Sequence, residues 1–207
     1  MPSPDGRMPT VYLHIGAPKT ATSTLQSVLA KNTGRLLRSG VLYPESMRSA
    51  DAHHVLACDL IEKCHGNTMS DVWYGPVPRG EGWQRLRDEI AQHGNAIDSV
   101  IVSSELFFGQ SRGLEAMLAE MAGHLQGLDV KVVVLGDRYA YHLLYNMDEE
   151  FRKIFKVKAE FDTVMAKSQE NVDKYMNFAR KITSEEGLLP VDVSGMATLI
   201  EYGVRLG

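Results

Sequence analysis

Three short runs of branched and apolar residues constrain the fold most: VYLHI at 11–15, SVIVSS at 99–104 and VKVVVLG at 130–136. They lack the strict polar alternation of a half-exposed strand, and they suit strands covered on both faces. Helix-compatible stretches separate them, at 22–31, 52–64, 83–92 and 114–125. Strands alternating with helices are joined by crossovers, which produce a parallel sheet with helices packed on it. The expected class is therefore a three-layer α/β/α fold around a central parallel sheet. A chain of 207 residues is long enough to bury one substantial core. One domain is expected over 10–207, preceded by a leader at 1–9 that carries three prolines and a glycine.

Other segments fill in this frame. SGVLYP at 39–44 reads as a turn, a short strand and a proline stop, and LLPVDV at 188–193 as a last short strand. Residues 139–155 and 161–182 have helical patterns, while 66–83, rich in Gly, Pro and polar residues, reads as a long surface excursion. Lysine and arginine number 22 against 26 acidic residues, a net charge of −4 that offers no general attraction for nucleic acid or an anionic membrane. The two cysteines, Cys58 and Cys64, are too few for a disulfide framework and fit a reducing compartment. No apolar run approaches the ~18 residues of a membrane span, and the start of the chain has no signal-peptide core. A soluble cytoplasmic protein is expected.

The stretch between the first strand and the first helix reads G-A-P-K-T-A-T-S-T, residues 16–24. A strand-to-helix loop presents unpaired backbone N–H groups at the positive end of the helix dipole, a ready site for phosphate or sulfate. Lys19 adds a point charge, Thr20, Thr22, Ser23 and Thr24 add hydroxyls, and Pro18 stiffens the approach. The order differs from the common nucleotide loop, in which Lys follows the second glycine and the next hydroxyl ligates magnesium. Here Lys19 precedes the hydroxyl run. A magnesium-dependent nucleotide kinase is disfavoured for that reason.

HIGAPKTATSTLQ, residues 14–26, resembles the 5′-phosphosulfate loop of sulfotransferases that use 3′-phosphoadenylyl sulfate (PAPS), which typically reads P-K-T-G-T-T. SGVLYP, VIVSSELFF at 100–108 and VKVVVLGDRYAYHLLYN at 130–146 are similar, in order, to later landmarks of that family. The resemblance spans 10 to about 150 and implies a P-loop-type α/β fold, PAPS as co-substrate without a metal, and a hydroxyl-bearing carbohydrate or small-molecule acceptor. It implies that Gly16, Pro18, Lys19, Thr20, Ala21, Thr22, Ser23 and Thr24 form the 5′-phosphate cradle, with Lys19 taking up charge on the leaving phosphate. Ala21 stands where the family usually has Gly. The family's 3′-phosphate Arg and Ser fall on Gly136 or Asp137 and on Leu143, with Arg138 one or two residues late.

Sulfuryl transfer also needs a base for the acceptor hydroxyl. Glu105 leads, because it follows a buried strand at the carboxyl edge of the sheet, where α/β ligands bind. Glu45, His53 and His54 are second candidates, with His54 retained as a catalytic residue. A capping role for Glu105 in SSE is the competing structural reading. His54 and Cys58 are spaced to share a metal on a helix, but Cys64 points elsewhere, and no metal site is expected. The alternative to an enzyme is a non-catalytic nucleotide- or anion-binding module that keeps the 5′-phosphate cradle without the 3′-phosphate clamp. The acceptor and the oligomeric state stay open.

Overall fold

The computed structural model describes residues 8–16, 21–107, 114–160, 162 and 164–206. These form two compact units, Met1–Asp148 and Glu149–Gly207, where the sequence suggests one domain from 10 to 207.

The first unit is built on a four-stranded, all-parallel sheet with helices packed against it. In chain order its strands are β1 (Thr10–Gly16), β2 (Val41–Leu42), β3 (Ser99–Ser103) and β4 (Asp129–Leu135). They lie side by side in the order β2-β3-β1-β4. Its helices are α1 (Thr22–Lys31), α2 (Thr33–Arg38), α3 (His54–His65), α4 (Gly82–His93), α5 (Leu114–His124) and α6 (Arg138–Met147). β1 pairs with β3 from Thr10↔Ser99 to His14↔Ser103, and with β4 from Thr10↔Asp129 to Gly16↔Leu135.

Alternation along these strands sorts their side chains onto two faces. Val11 and Leu13 of β1 with Val100 and Val102 of β3 enter one core, together with Leu56 and Leu60 of α3, Trp83 and Leu86 of α4 and Met117 of α5. Tyr12 and His14 of β1 with Ile101 and Ser103 of β3 fall on the opposite face. There α1 approaches, since Gln26 reaches Ser103 and Thr22 crowds Gly16.

β2 is only two residues long because Pro44 soon follows Leu42 and supplies no N–H to a ladder. Beyond it the edge of β3 is taken by His53. Its backbone N–H donates to Ser103 O at 2.9 Å, and its ring Nδ1 accepts the Ser103 N–H at 3.0 Å.

The excursion at 66–83 is tied down at several points. Asp59, buried in α3, accepts the N–H groups of Gly80 and Gly82 at 2.8 and 2.9 Å. Arg79 pairs with Glu62 and Asp71 and lies over the Tyr74 ring. β4, the most apolar strand, forms the outer edge beside β1, and its Val132, Val133 and Val134 are 42%, 42% and 38% exposed.

The second unit contains α7 (Glu149–Ile154), α8 (Gln169–Glu185) and α9 (Val193–Leu206). The helical pattern at 139–155 is divided at Asp148 into α6 and α7, and α8 starts eight residues later than its pattern suggests. The strand expected at 188–193 is not formed; its last residue, Val193, instead begins α9. Asp192 decides this locally: its carboxylate accepts the Gly195 N–H at 2.7 Å and the Ser194 hydroxyl at 2.8 Å, which starts a helix. No helix among the described residues is long and apolar enough to cross a membrane.

Candidate functional site

The connections place the site. The chain leaves β1 through α1 and α2 toward β2, on one side, and leaves β3 through α5 toward β4, on the other. Neighbouring strands whose exits run in opposite directions open a crevice at their carboxyl ends, where ligands of open α/β sheets bind. That crevice lies between the ends of β1 (Gly16) and β3 (Ser103). Ser104 keeps the two ends together by donating its N–H to His14 O at 3.2 Å.

On the β1 side, Gly16 and Ala21–Thr24 are described, while Pro18, Lys19 and Thr20 lie outside the described residues. Two backbone features shape this end. A Cβ on Gly16 would sit 2.5 Å from Thr22 Oγ1, so only glycine allows α1 to start this close to the strand. Ala21 is the N-cap of α1 with φ 61° and ψ 17°, in the left-handed region, where glycine is the usual residue. Ala21 thus carries a positive φ with a Cβ in place.

Ala21 has no capping side chain, and no acidic residue stands in the first turn of α1. The first intrahelical bond runs from Leu25 N–H to Ala21 O, so the N–H groups of Thr22, Ser23 and Thr24 stand at the helix mouth. Ser23 and Thr24 expose their hydroxyls, whereas Thr22 is buried against Gly16. This end of α1 has the dipole, backbone N–H donors and, among the described residues, a first turn without acidic side chains, all of which favour an anion.

On the β3 side, a short 3-10 turn, Glu105–Phe107, follows Ser104. Ser104 Oγ accepts the Leu106 N–H at 3.2 Å and shares a hydrogen bond with His54 Nδ1 at 3.0 Å. Glu105 is half-buried at the start of this turn, and its charge acts on the His54 ring. Burial pulls the His54 pKa below its ordinary value, and the Glu105 charge opposes that shift. A half-buried neutral imidazole beside a carboxylate can take a proton from a hydroxyl. Trp73 packs its edge on the His54 ring at 5.1 Å, so the excursion at 66–83 borders this side of the crevice.

The other candidate bases are employed elsewhere. His53 is fully buried, with Nδ1 accepting from Ser103 N–H and Nε2 bonded to Pro44 O at 3.0 Å. Both ring nitrogens are matched in the neutral form, and burial lowers the pKa to about 4. Glu45 pairs with Arg48, and its backbone N–H donates to Glu89 of α4. Cys58 is buried beside Val55, Tyr74 and Val77, and desolvation raises its thiol pKa to about 12, so it behaves as a small apolar residue. Among the described residues, no group of three or more His, Cys, Asp or Glu is placed to hold a metal.

Beyond β4, Asp137 is the N-cap of α6, its carboxylate accepting the Ala140 N–H at 2.7 Å. Capping accounts for an acidic residue here. Arg138 is exposed in the first position of α6, on the carboxyl side of the sheet, and Leu143 is 44% exposed.

Sequence reasoning missed the buried polar cluster behind the crevice. His14, Gln26, His53 and Ser103 are each 4% exposed or less and are bonded through Ser103. The one available signal was polar residues ending otherwise apolar strands, HIG in β1 and SS after β3.

No curated protein matches the chain. The family model for the LonB-like AAA domain matches residues 109–162. That segment takes in β4 and α6, and therefore the fourth of the landmarks read as sulfotransferase-like, so the similarity to a LonB-like AAA domain is confined to about a quarter of the chain.

Proposed function

We propose that the first unit binds a nucleotide carrying a 5′-phosphosulfate at the β1–α1 crevice and transfers its sulfuryl group to a hydroxyl. The observation that supports this most is the meeting, at one switch point, of a helix start with no side-chain cap and no acidic residue in its first turn, among the described residues, and a His54–Ser104–Glu105 cluster. The parallel order of the sheet is compatible with a P-loop-type fold, and the LonB-like AAA match at 109–162 is loosely in keeping with nucleotide binding.

In this reading, the N–H groups and hydroxyls of Ser23 and Thr24 and the ammonium of Lys19 bind the 5′-phosphate. Lys19 takes up the charge that develops on it as the bond between sulfur and the bridging oxygen breaks. The acceptor oxygen approaches in line, forms the new S–O bond, and gives its proton to His54 or Glu105. Positioning and charge stabilisation carry most of the rate, as in phosphoryl transfer. The test is single-turnover transfer of radiolabelled sulfate from PAPS across a panel of hydroxyl acceptors. Glu105→Gln and His54→Asn are expected to lose about 10²-fold or more in rate if they serve as the base. No transfer to any acceptor, with PAPS bound, would remove the enzymatic reading.

A second reading is a binding module without turnover. Asp137, committed to capping α6, and the apolar Leu143 favour it, because a 3′-phosphate would meet a carboxylate and no hydroxyl at those positions. It predicts binding of phosphate, sulfate and 5′-nucleotides with little preference for a 3′-phosphate.

A further inference from the structure

α1 carries the proposed anion-binding end, yet little apolar packing holds it. Its buried residues are Thr22 and Gln26, while Leu25 and Val28 are 38% and 51% exposed. A helix normally docks through its apolar stripe; here the buried positions are a threonine and a glutamine one turn apart. Gln26 Nε2 donates to Ser103 Oγ at 3.1 Å, and the same oxygen shares a 2.7 Å hydrogen bond with His14 Nδ1. Ser103 is itself fixed by two bonds to His53. The arrangement has a cost, since His14 Nε2 is buried with no hydrogen-bond partner among the described residues. A phenylalanine would carry no unmatched ring nitrogen but would take from the buried Ser103 Oγ its ring partner, so the function of the imidazole lies in what Nδ1 holds.

We propose that His14 is a positioning residue: with Ser103 Oγ and Gln26 it bolts the first turns of α1 to the ends of β1 and β3. This fixes the helix mouth at the crevice. Its bearing on phosphosulfate binding rests on the function proposed above; the bolt itself does not.

The two ring nitrogens can be separated by substitution. Asn at 14 can place a polar atom near Nδ1, and Gln can place one near Nε2. Hydrogen exchange of the backbone amides then reads the bolt directly. In Ser103→Ala and His14→Gln, the amides of α1 are expected to exchange about tenfold faster, while those of the β1 and β3 ladders stay protected. His14→Asn is expected to keep α1 close to wild type. Unchanged exchange of α1 in Ser103→Ala would overturn the proposal, as would equal effects of His14→Asn and His14→Gln. An acceleration spread evenly over β1, β3 and α1 would also overturn it, since that is what lost core packing produces. Calorimetry with 3′-phosphoadenosine 5′-phosphate on the same proteins separates the two readings. Wild-type binding weakened about tenfold by His14→Gln and not by His14→Asn supports both, by the linkage between ordering and binding. No wild-type binding removes the phosphosulfate reading, while the exchange result still decides the bolt.

Discussion

Lowering the pH from 7.5 to 5.0 should destabilise the first unit chiefly through His53. In the fold this ring is neutral: Nδ1 accepts the Ser103 N–H, and Nε2 donates to Pro44 O. Protonating Nδ1 would set two N–H donors against each other in a site closed to water. Its folded pKa is about 4, against the ordinary histidine value of 6.5 in the unfolded chain. Between these values the unfolded chain binds the proton and the folded one does not. The stabilisation is complete above pH 6.5, falls as pH drops through 6.5, and is exhausted near pH 4. One pKa unit corresponds to about 1.4 kcal/mol, so His53 alone costs about 2 kcal/mol by pH 5 and about 3 kcal/mol over the whole window. His14 and His54, also lowered by burial, act in the same direction. Both tryptophans of the chain, Trp73 and Trp83, belong to this unit, so urea unfolding followed by tryptophan fluorescence reports it selectively. His53→Asn can still accept the Ser103 N–H but does not titrate. It should begin less stable at pH 7.5 and lose about 2 kcal/mol less than wild type on going to pH 5. Parallel losses in the two proteins would refute the neutral, fully bonded His53.

Three further perturbations probe the site and its supports. Ala21→Gly relieves a left-handed alanine and should raise stability by up to about 1 kcal/mol, whereas Ala21→Val, branched at Cβ, should lower it by about 1–2 kcal/mol in thermal melts. Gly16→Ala drives a methyl against Thr22 Oγ1 and should cost about 1–3 kcal/mol, with Thr22→Ala in the same chain recovering part of the loss. Asp59→Ala removes the acceptor of two backbone N–H groups and should expose 66–81 to limited proteolysis well before the sheet unfolds.

The sheet was legible because its signals are local. Val11, Leu13, Val100 and Val102 are branched or bulky residues in short runs, and the breaks between them carry helical spacing. The start of α1 at Thr22 was legible for the same reason. His53 on the edge of β3 was not, because that bond depends on β2 ending early and leaving Ser103 without a strand neighbour on the side away from β1. The apolar run at 188–193 suits either a strand or the approach to a helix. Nothing within it reveals that Asp192 caps the following turn. Asp137 shows the reverse: what looked like a misplaced charge in a binding site is an N-cap. At the crevice, residue types suggested an anion loop, whereas the positive φ of Ala21 and the Gln26–Ser103–His14 hydrogen bonds under α1 required coordinates.

The proposed ligand of the β1–α1 crevice is a phosphosulfate nucleotide. Titration calorimetry with 3′-phosphoadenosine 5′-phosphate, on the full chain and on Lys19→Ala, tests it most directly. Saturable binding by wild type is expected, weakened at least about tenfold when the Lys19 charge is removed. Absence of wild-type heat, or a Lys19→Ala isotherm that superimposes on the wild type, would contradict it.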